Sequence, residues 1–186
     1  MSFRIDNQSV NSYTVSYDLK DGVSKGSGTA TKINHFGTAT VKLTVAPEYS
    51  QRTPAPKASS GTLTYVSKSG TTYTYTLSGV TANTTVTVPA LEKNTYTAVL
   101  PSGTGYATKT EDNLNKIVYG TSISFGVELE KQYDRSNVVV KYNGTVLEPT
   151  AGVYKIDNIT SNITDGMITV EGVELNHYYI TLPLET

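Results

Sequence analysis

Few residues in this chain have both the type and the spacing to do chemistry. The two histidines, His35 and His177, stand at no metal-ligand spacing from one another, and there is no cysteine to complete a zinc set, form a disulfide or act as a thiol nucleophile. Glu128 and Glu130 lie on one face of a strand-like run, and Asp157 and Asp165 flank a turn. Calcium requires several oxygens converging from short Asp-rich spacings, and no Asp-x-Asp cluster occurs. Scattered carboxylates could pair for glycoside hydrolysis, but nothing in their spacing selects a pair. A phosphate-cradling loop and a zinc signature are both missing from the sequence. The expectation is therefore no catalytic, cofactor-binding or metal-binding residue, and no enzyme.

Five Asn-x-Ser/Thr triplets begin at Asn7, Asn83, Asn143, Asn158 and Asn162. Each lies where a turn is expected, and Met1–Asp6 lacks the apolar core of a secretory signal, so they read as turn residues rather than glycan acceptors. The glycine pairs Gly26/Gly28 and Gly103/Gly105 are read the same way, as turns that need positive φ.

The elements that would position these residues follow from an internal repeat. Asn94-Thr-Tyr96-Thr-Ala-Val-Leu-Pro101 has counterparts at Asn11-Ser-Tyr13-Thr-Val-Ser16 and at Asn176-His-Tyr178-Tyr-Ile-Thr-Leu-Pro183, placing the tyrosines 83 and 82 residues apart. Further anchors keep the order. Phe36-Gly37 matches Tyr119-Gly120, Gly61-Thr-Leu63 matches Gly144-Thr-Val146, and Leu77–Asn83 matches Ile156–Asn162. Glu92-Lys-Asn94 matches Glu174-Leu-Asn176. A period of this size indicates tandem modules. The expected organisation is an N-terminal arm or edge strand (1–10), repeat 1 (11–93), repeat 2 (94–176) and a C-terminal strand (177–186) that begins a third copy.

Within a repeat, apolar residues alternate with polar ones at the period of half-buried strands: Tyr13/Val15/Tyr17, Val41/Leu43/Val45, Tyr73/Tyr75/Leu77 and Val86/Val88. Residues 51–60, with Pro54 and Pro56, read as a loop or poorly paired edge, and Leu63/Tyr65 as a short strand. Residues 110–117 allow at most one helical turn. Tyr13, Tyr73, Tyr75 and Tyr154 are expected in a core or on a sheet face. Adjacent Tyr178 and Tyr179 are expected on opposite faces of one strand. Six or seven short strands per repeat, separated by Gly, Pro and Asn, predict two tandem Ig-like β-sandwich domains.

Composition agrees. Threonine, serine, tyrosine and valine dominate, with 14 tyrosines and no tryptophan among 186 residues, a strand-forming mixture. The net charge of −1 leaves no basic footprint for nucleic acid, and no apolar run is long enough to span a bilayer as a helix. Neither nucleic acid nor membrane is expected as a partner.

Tyr96-Thr-x-x-Leu-Pro-Ser-Gly-x-Gly-Tyr106, the run Asn137–Leu147, Gly152–Thr160 and Ile168–Gly172 together resemble tandem Ig-like surface modules of gut bacterial surface proteins and of structural proteins of their phages. The resemblance covers nearly all of repeat 2. It is weaker in repeat 1, where the Pro54/Pro56 loop departs from the pattern. It implies stalks, spacers and adhesive surfaces, with no catalytic residues and no cofactor.

From this follows the expected function: a structural protein of a bacteriophage virion surface, such as a capsid decoration or fibre protein. A sequence starting at methionine without an export signal suits virion proteins, which are released by lysis. The alternative is a stalk or adhesive fragment of a larger bacterial cell-surface protein, which the interrupted third copy suits. Partners would be capsid or fibre subunits or further copies joined by strand addition, with surface carbohydrate as another ligand. The candidate interface residues are Phe3 and Ile5 in the N-terminal arm and Tyr178, Tyr179, Ile180 and Leu182 in the C-terminal strand. Two fates stay open for that strand, completion of repeat 2 or exchange with a neighbour.

Overall fold

The computed structural model describes residues 10–180 and is all-β, sandwich-like, and divided into two compact units whose boundary in the sequence falls between Asn94 and Thr95. Phe3, Ile5 and Leu182, together with the N-terminal arm through Asn7-Gln8-Ser9, lie outside the described residues.

In the first unit, β1 (Ser12–Leu19), β3 (Lys32–Asn34), β5 (Lys57–Ala58) and β8 (Thr84–Val88) form one sheet in the order β3-β1-β8-β5. The second sheet has the order β2-β4-β7-β6, from β2 (Val23–Lys25), β4 (Thr38–Val45), β6 (Thr62–Ser69) and β7 (Thr72–Ser78). The alternation in β4 and β7 dictates their inner face. Val41 sits opposite Tyr75, Leu43 opposite Tyr73 and Ala39 opposite Leu77. These side chains pack against Val15, Val86 and Val88 from the other sheet in one buried cluster. The sheet closes through a parallel pairing of β1 with β8, Val15 to Thr84 through Leu19 to Val88.

The segment 51–60 is, as expected, a loop that pairs only briefly at the sheet edge. The Tyr75 hydroxyl donates to the Pro54 carbonyl (3.0 Å) and the Tyr73 hydroxyl to the Arg52 carbonyl (3.2 Å). Just beyond Pro56 the chain pairs as β5, Lys57 with Thr87 and Ala58 with Val86. Both prolines precede that pairing, so neither removes a ladder donor. By contrast, β6 is not short. It runs eight residues along β7, with a bulge between Tyr65 and Ser67.

The second unit holds β9 (Thr95–Tyr96), β10 (Tyr106–Lys109), β11 (Ile117–Val118), β12 (Ile123–Leu129), β13 (Val139–Tyr142), β14 (Thr145–Leu147), β15 (Val153–Ile156) and β16 (Ile168–Glu171). They pair as β10-β12-β15, β14-β13-β16 and β11-β9. Phe125 stacks on Tyr154 at 5.7 Å inside a core with Ile123, Val140, Ile156, Ile163 and Ile168. Residues 110–117 contain turns but no helix. The pairing β2-β4-β7 thus reappears as β10-β12-β15, β5-β8 as β13-β16, and β3-β1 as β11-β9.

Two differences separate the units. The five-residue parallel pairing of β1 with β8 shrinks to a single parallel bridge, Ala98 with Ile163. And β14 turns back on β13 through Asn143-Gly144, both at positive φ (49° and 79°), a two-residue turn whose twist suits a tight hairpin. Its counterpart β6 pairs with β7 instead. Each described unit carries eight strands, more than expected, because several are only two or three residues long.

Candidate assembly surface

Each unit carries, after its last strand, an asparagine that clamps a tyrosine-bearing turn. Asn94 donates its backbone N–H to the Glu48 carbonyl (2.7 Å) and its side-chain Nδ2 to the Pro47 carbonyl (3.0 Å) and Ser50 Oγ (3.1 Å). Its Oδ1 accepts the Gln51 N–H (2.9 Å). Asn176 repeats the set on the turn around Tyr133. Its N–H donates to the Gln132 carbonyl (2.8 Å), and its Nδ2 to the Lys131 carbonyl (3.2 Å) and Asp134 Oδ1 (2.8 Å). Its Oδ1 accepts the Arg135 N–H (3.3 Å). Asn94 is only 1% exposed, whereas Asn176 is half-buried.

The clamped tyrosines each lie under a glycine. Gly22 (φ 90°) and Gly105 (φ 83°) sit so close over the rings of Tyr49 and Tyr133 that a Cβ would come within 2.7 and 2.5 Å of them. Positive φ and ring contact both demand glycine at these two positions. Of the glycines expected to turn, Gly28 and Gly105 have positive φ; Gly26 and Gly103 do not appear among the positive-φ glycines.

Past Asn176 the chain is exposed through Ile180. Tyr178 is 71% exposed, Tyr179 96% and Ile180 86%, with Leu175 also exposed just before the clamp. The expected strand with tyrosines on opposite faces is not formed over residues 177–180. The last strand, β16, ends at Glu171, and among the described residues no strand pairs with 177–180. What holds Tyr178 is the Arg135 guanidinium, 5.1 Å from its ring centroid, and a long 3.5 Å contact from Asn176 Nδ2 to its hydroxyl.

A second exposed apolar group, missed by the sequence reading, is Tyr65 and Val66 on the outermost strand β6. The alternation that signals a strand was legible there; its position at the sheet edge was not.

Tyr73, Tyr75 and Tyr154 are buried, and Tyr13 is half-buried. Burial pushes the Tyr17 hydroxyl up to about 12, and it donates to the Ala30 carbonyl at 2.5 Å. Burial also raises Tyr75, reinforced by neighbouring Tyr73 and Tyr65. Burial acts on Tyr73 too, but hydrogen bonds with Lys68 and Thr53 and the Lys68 charge outweigh it, and its net shift is downward.

Of the groups considered for catalysis or metal binding, His35, Glu128 and Asp157 have partners in the fold. His35 Nδ1 meets the Tyr13 hydroxyl at 3.0 Å, and its ring lies 4.2 Å from that of Phe36. Glu128 pairs with Lys109 (2.5 Å) and Asp157 with Lys155 (2.7 Å). Glu130 lies past the end of β12, so it does not share a strand face with Glu128 as expected. A depression of about 380 Å³ over Gly126 is lined by Lys109, Asp112, Ser124 and Glu128. Glu111 lines it too, and Asp112 Oδ2 there accepts the Ser124 N–H at 2.6 Å. Among the described residues no group of three metal-ligating side chains converges.

The asparagines of the Asn-x-Thr triplets serve the backbone. Asn83 Oδ1 accepts the Thr14 N–H (2.9 Å) and Asn162 Oδ1 the Thr97 N–H (3.0 Å), while Asn143 and Asn158 occupy positive-φ turn positions. No family model, no curated protein and no solved structure matches the chain.

Proposed function

We propose that the chain is a non-enzymatic structural protein made of two Ig-like sandwich modules that arose by duplication, with a repeat of about 82 residues, and that it serves on a bacteriophage virion surface as a capsid decoration or fibre protein. The observation that carries the module reading is the doubled clamp. An asparagine, a tyrosine-bearing turn and a glycine over the ring recur in both units with the same backbone partners, offset by 84 residues in the turn. Two sheets around one core, closed by a parallel pairing of first and last strands, support a sandwich of Ig type in unit 1. A chain of rigid modules with tyrosine and isoleucine presented to solvent suits a protein whose work is to be displayed and to contact others.

A second reading, a stalk or adhesive segment of a bacterial cell-surface protein, is favoured by the way Asn176 hands the chain onward just as Asn94 does. Mass spectrometry of purified phage particles and of cell-wall extracts decides between them. The intact chain as a stoichiometric particle component supports the virion role. Recovery only within a longer cell-wall polypeptide refutes it.

A further inference from the structure

Resting on the two-module reading, we propose that Asn176–Ile180 is a first strand offered to a further β-sandwich unit of the same kind, one that lacks a first strand of its own.

The two first strands already in the chain show what such a segment does. In each, a tyrosine two residues after an asparagine reaches an aromatic corner: the Tyr13 ring lies 5.8 Å from His35, and Tyr96 lies 6.4 Å from Tyr119. The next residue, Thr14 or Thr97, faces solvent and donates its N–H to the Oδ1 of an asparagine in the segment before the last strand, Asn83 or Asn162. The residue after that enters the core: Val15 opposite Thr84, and Ala98 opposite Ile163, both buried. In unit 2 the strand is further tied by Ala98 N–H to the Leu114 carbonyl (2.9 Å) and Val99 N–H to the Ile163 carbonyl (2.9 Å).

Tyr178, Tyr179 and Ile180 carry this pattern in the same register from a clamped asparagine, yet unit 2 buries none of them. Residues i and i+2 of an extended strand share a face. Tyr178 and Ile180 therefore form the apolar face, with Ile180 at the position of Val15 and Ala98, and Tyr179 takes the outward position. The acceptor is specified by the same logic. It needs an aromatic side chain at the corner after its third strand, an asparagine carbonyl placed to accept the Tyr179 N–H, and an aliphatic slot for Ile180. Main-chain pairing would supply affinity and the two pockets register.

The test extends the chain. Residues 102–176, the body of unit 2 without its first strand, are appended after Pro183, so that Tyr178–Pro183 replaces Tyr96–Pro101. A control appends residues 94–176 complete. The expected result is a third protected unit in both extended chains, with amide exchange at residues 178–180 slowed about 100-fold or more relative to the parent chain only in the first. Tyr178→Ser with Ile180→Ser abolishes the third unit in the first extension and leaves units 1 and 2 unchanged. An appended body that stays unprotected behind the wild-type arm while the control folds overturns the proposal, as does one that folds equally well behind the substituted arm. A control that does not fold overturns the module reading beneath it. Neither result depends on whether the protein is found in particles or in cell walls.

Discussion

Replacing Asn94 with alanine should remove the clamp of unit 1 and leave that of unit 2 intact. Three side-chain hydrogen bonds disappear, to Pro47, Ser50 and Gln51, while the backbone bond from residue 94 to Glu48 survives. The Pro47 carbonyl keeps the Ser50 N–H (3.1 Å), so the loss falls mainly on the bonds made by the Asn94 side chain itself, which is 1% exposed. Losing hydrogen bonds from a buried polar site costs about 1–3 kcal/mol, which is the loss expected for unit 1. For a domain of this size 1 kcal/mol corresponds to about 4–8 °C, so its melting temperature should fall by at least about 4 °C. Asn176→Ala removes the same bonds from a half-buried site where water can substitute, and should cost unit 2 about 0.5–1.5 kcal/mol. Native-state hydrogen exchange, read peptide by peptide, assigns each loss to its unit. The reasoning fails if Asn94→Ala costs unit 1 less than Asn176→Ala costs unit 2, or if either change spreads equally over both units.

Gly22→Ala and Gly105→Ala each force a Cβ into a tyrosine ring at positive φ, and should destabilise their own unit by about 2–4 kcal/mol, measured by urea unfolding followed through tyrosine fluorescence. Leu77→Ala empties a fully buried site in unit 1 and should cost about 2–5 kcal/mol there, with exchange in the core of unit 2 around Phe125 unchanged; coupled loss in both would refute separate cores. Tyr17 has its folded pKa raised by burial, so its contribution is fully present below the ordinary value near 10 and is lost as pH rises toward about 12. Stability of unit 1 should therefore fall across that window, and Tyr17→Phe should flatten the fall. An unchanged alkaline limb in the variant would show that Tyr17 is not responsible.

The expectations that held were those resting on side-chain alternation. Val41/Leu43/Val45 and Tyr73/Tyr75/Leu77 face inward, as their period of two requires. Pro54 and Pro56 marked a loop or poorly paired edge, and residues 51–56 carry no strand while β5 pairs two residues at the sheet edge; what the prolines did not report is that the carbonyls of Arg52 and Pro54 accept hydroxyls from Tyr73 and Tyr75. Alternation alone did not always suffice. The Tyr178–Tyr179 alternation is that of a strand, but a strand also needs a neighbour for its backbone, and nothing in the local sequence reports whether one is present.

The sequence by itself determined the all-β class, the inward faces of the long strands and the matching order of anchors, because side-chain periodicity and spacing are properties of the chain. Only tertiary structure decided the partners. Val15 meets Thr84 across 69 residues, β14 folds onto β13 where β6 had joined β7, and Asn94 reaches turn residues more than 40 positions earlier. These choices are made by backbone hydrogen bonds and by close packing of glycine on tyrosine. Both depend on where distant segments arrive in space, and neither leaves a local pattern in the sequence.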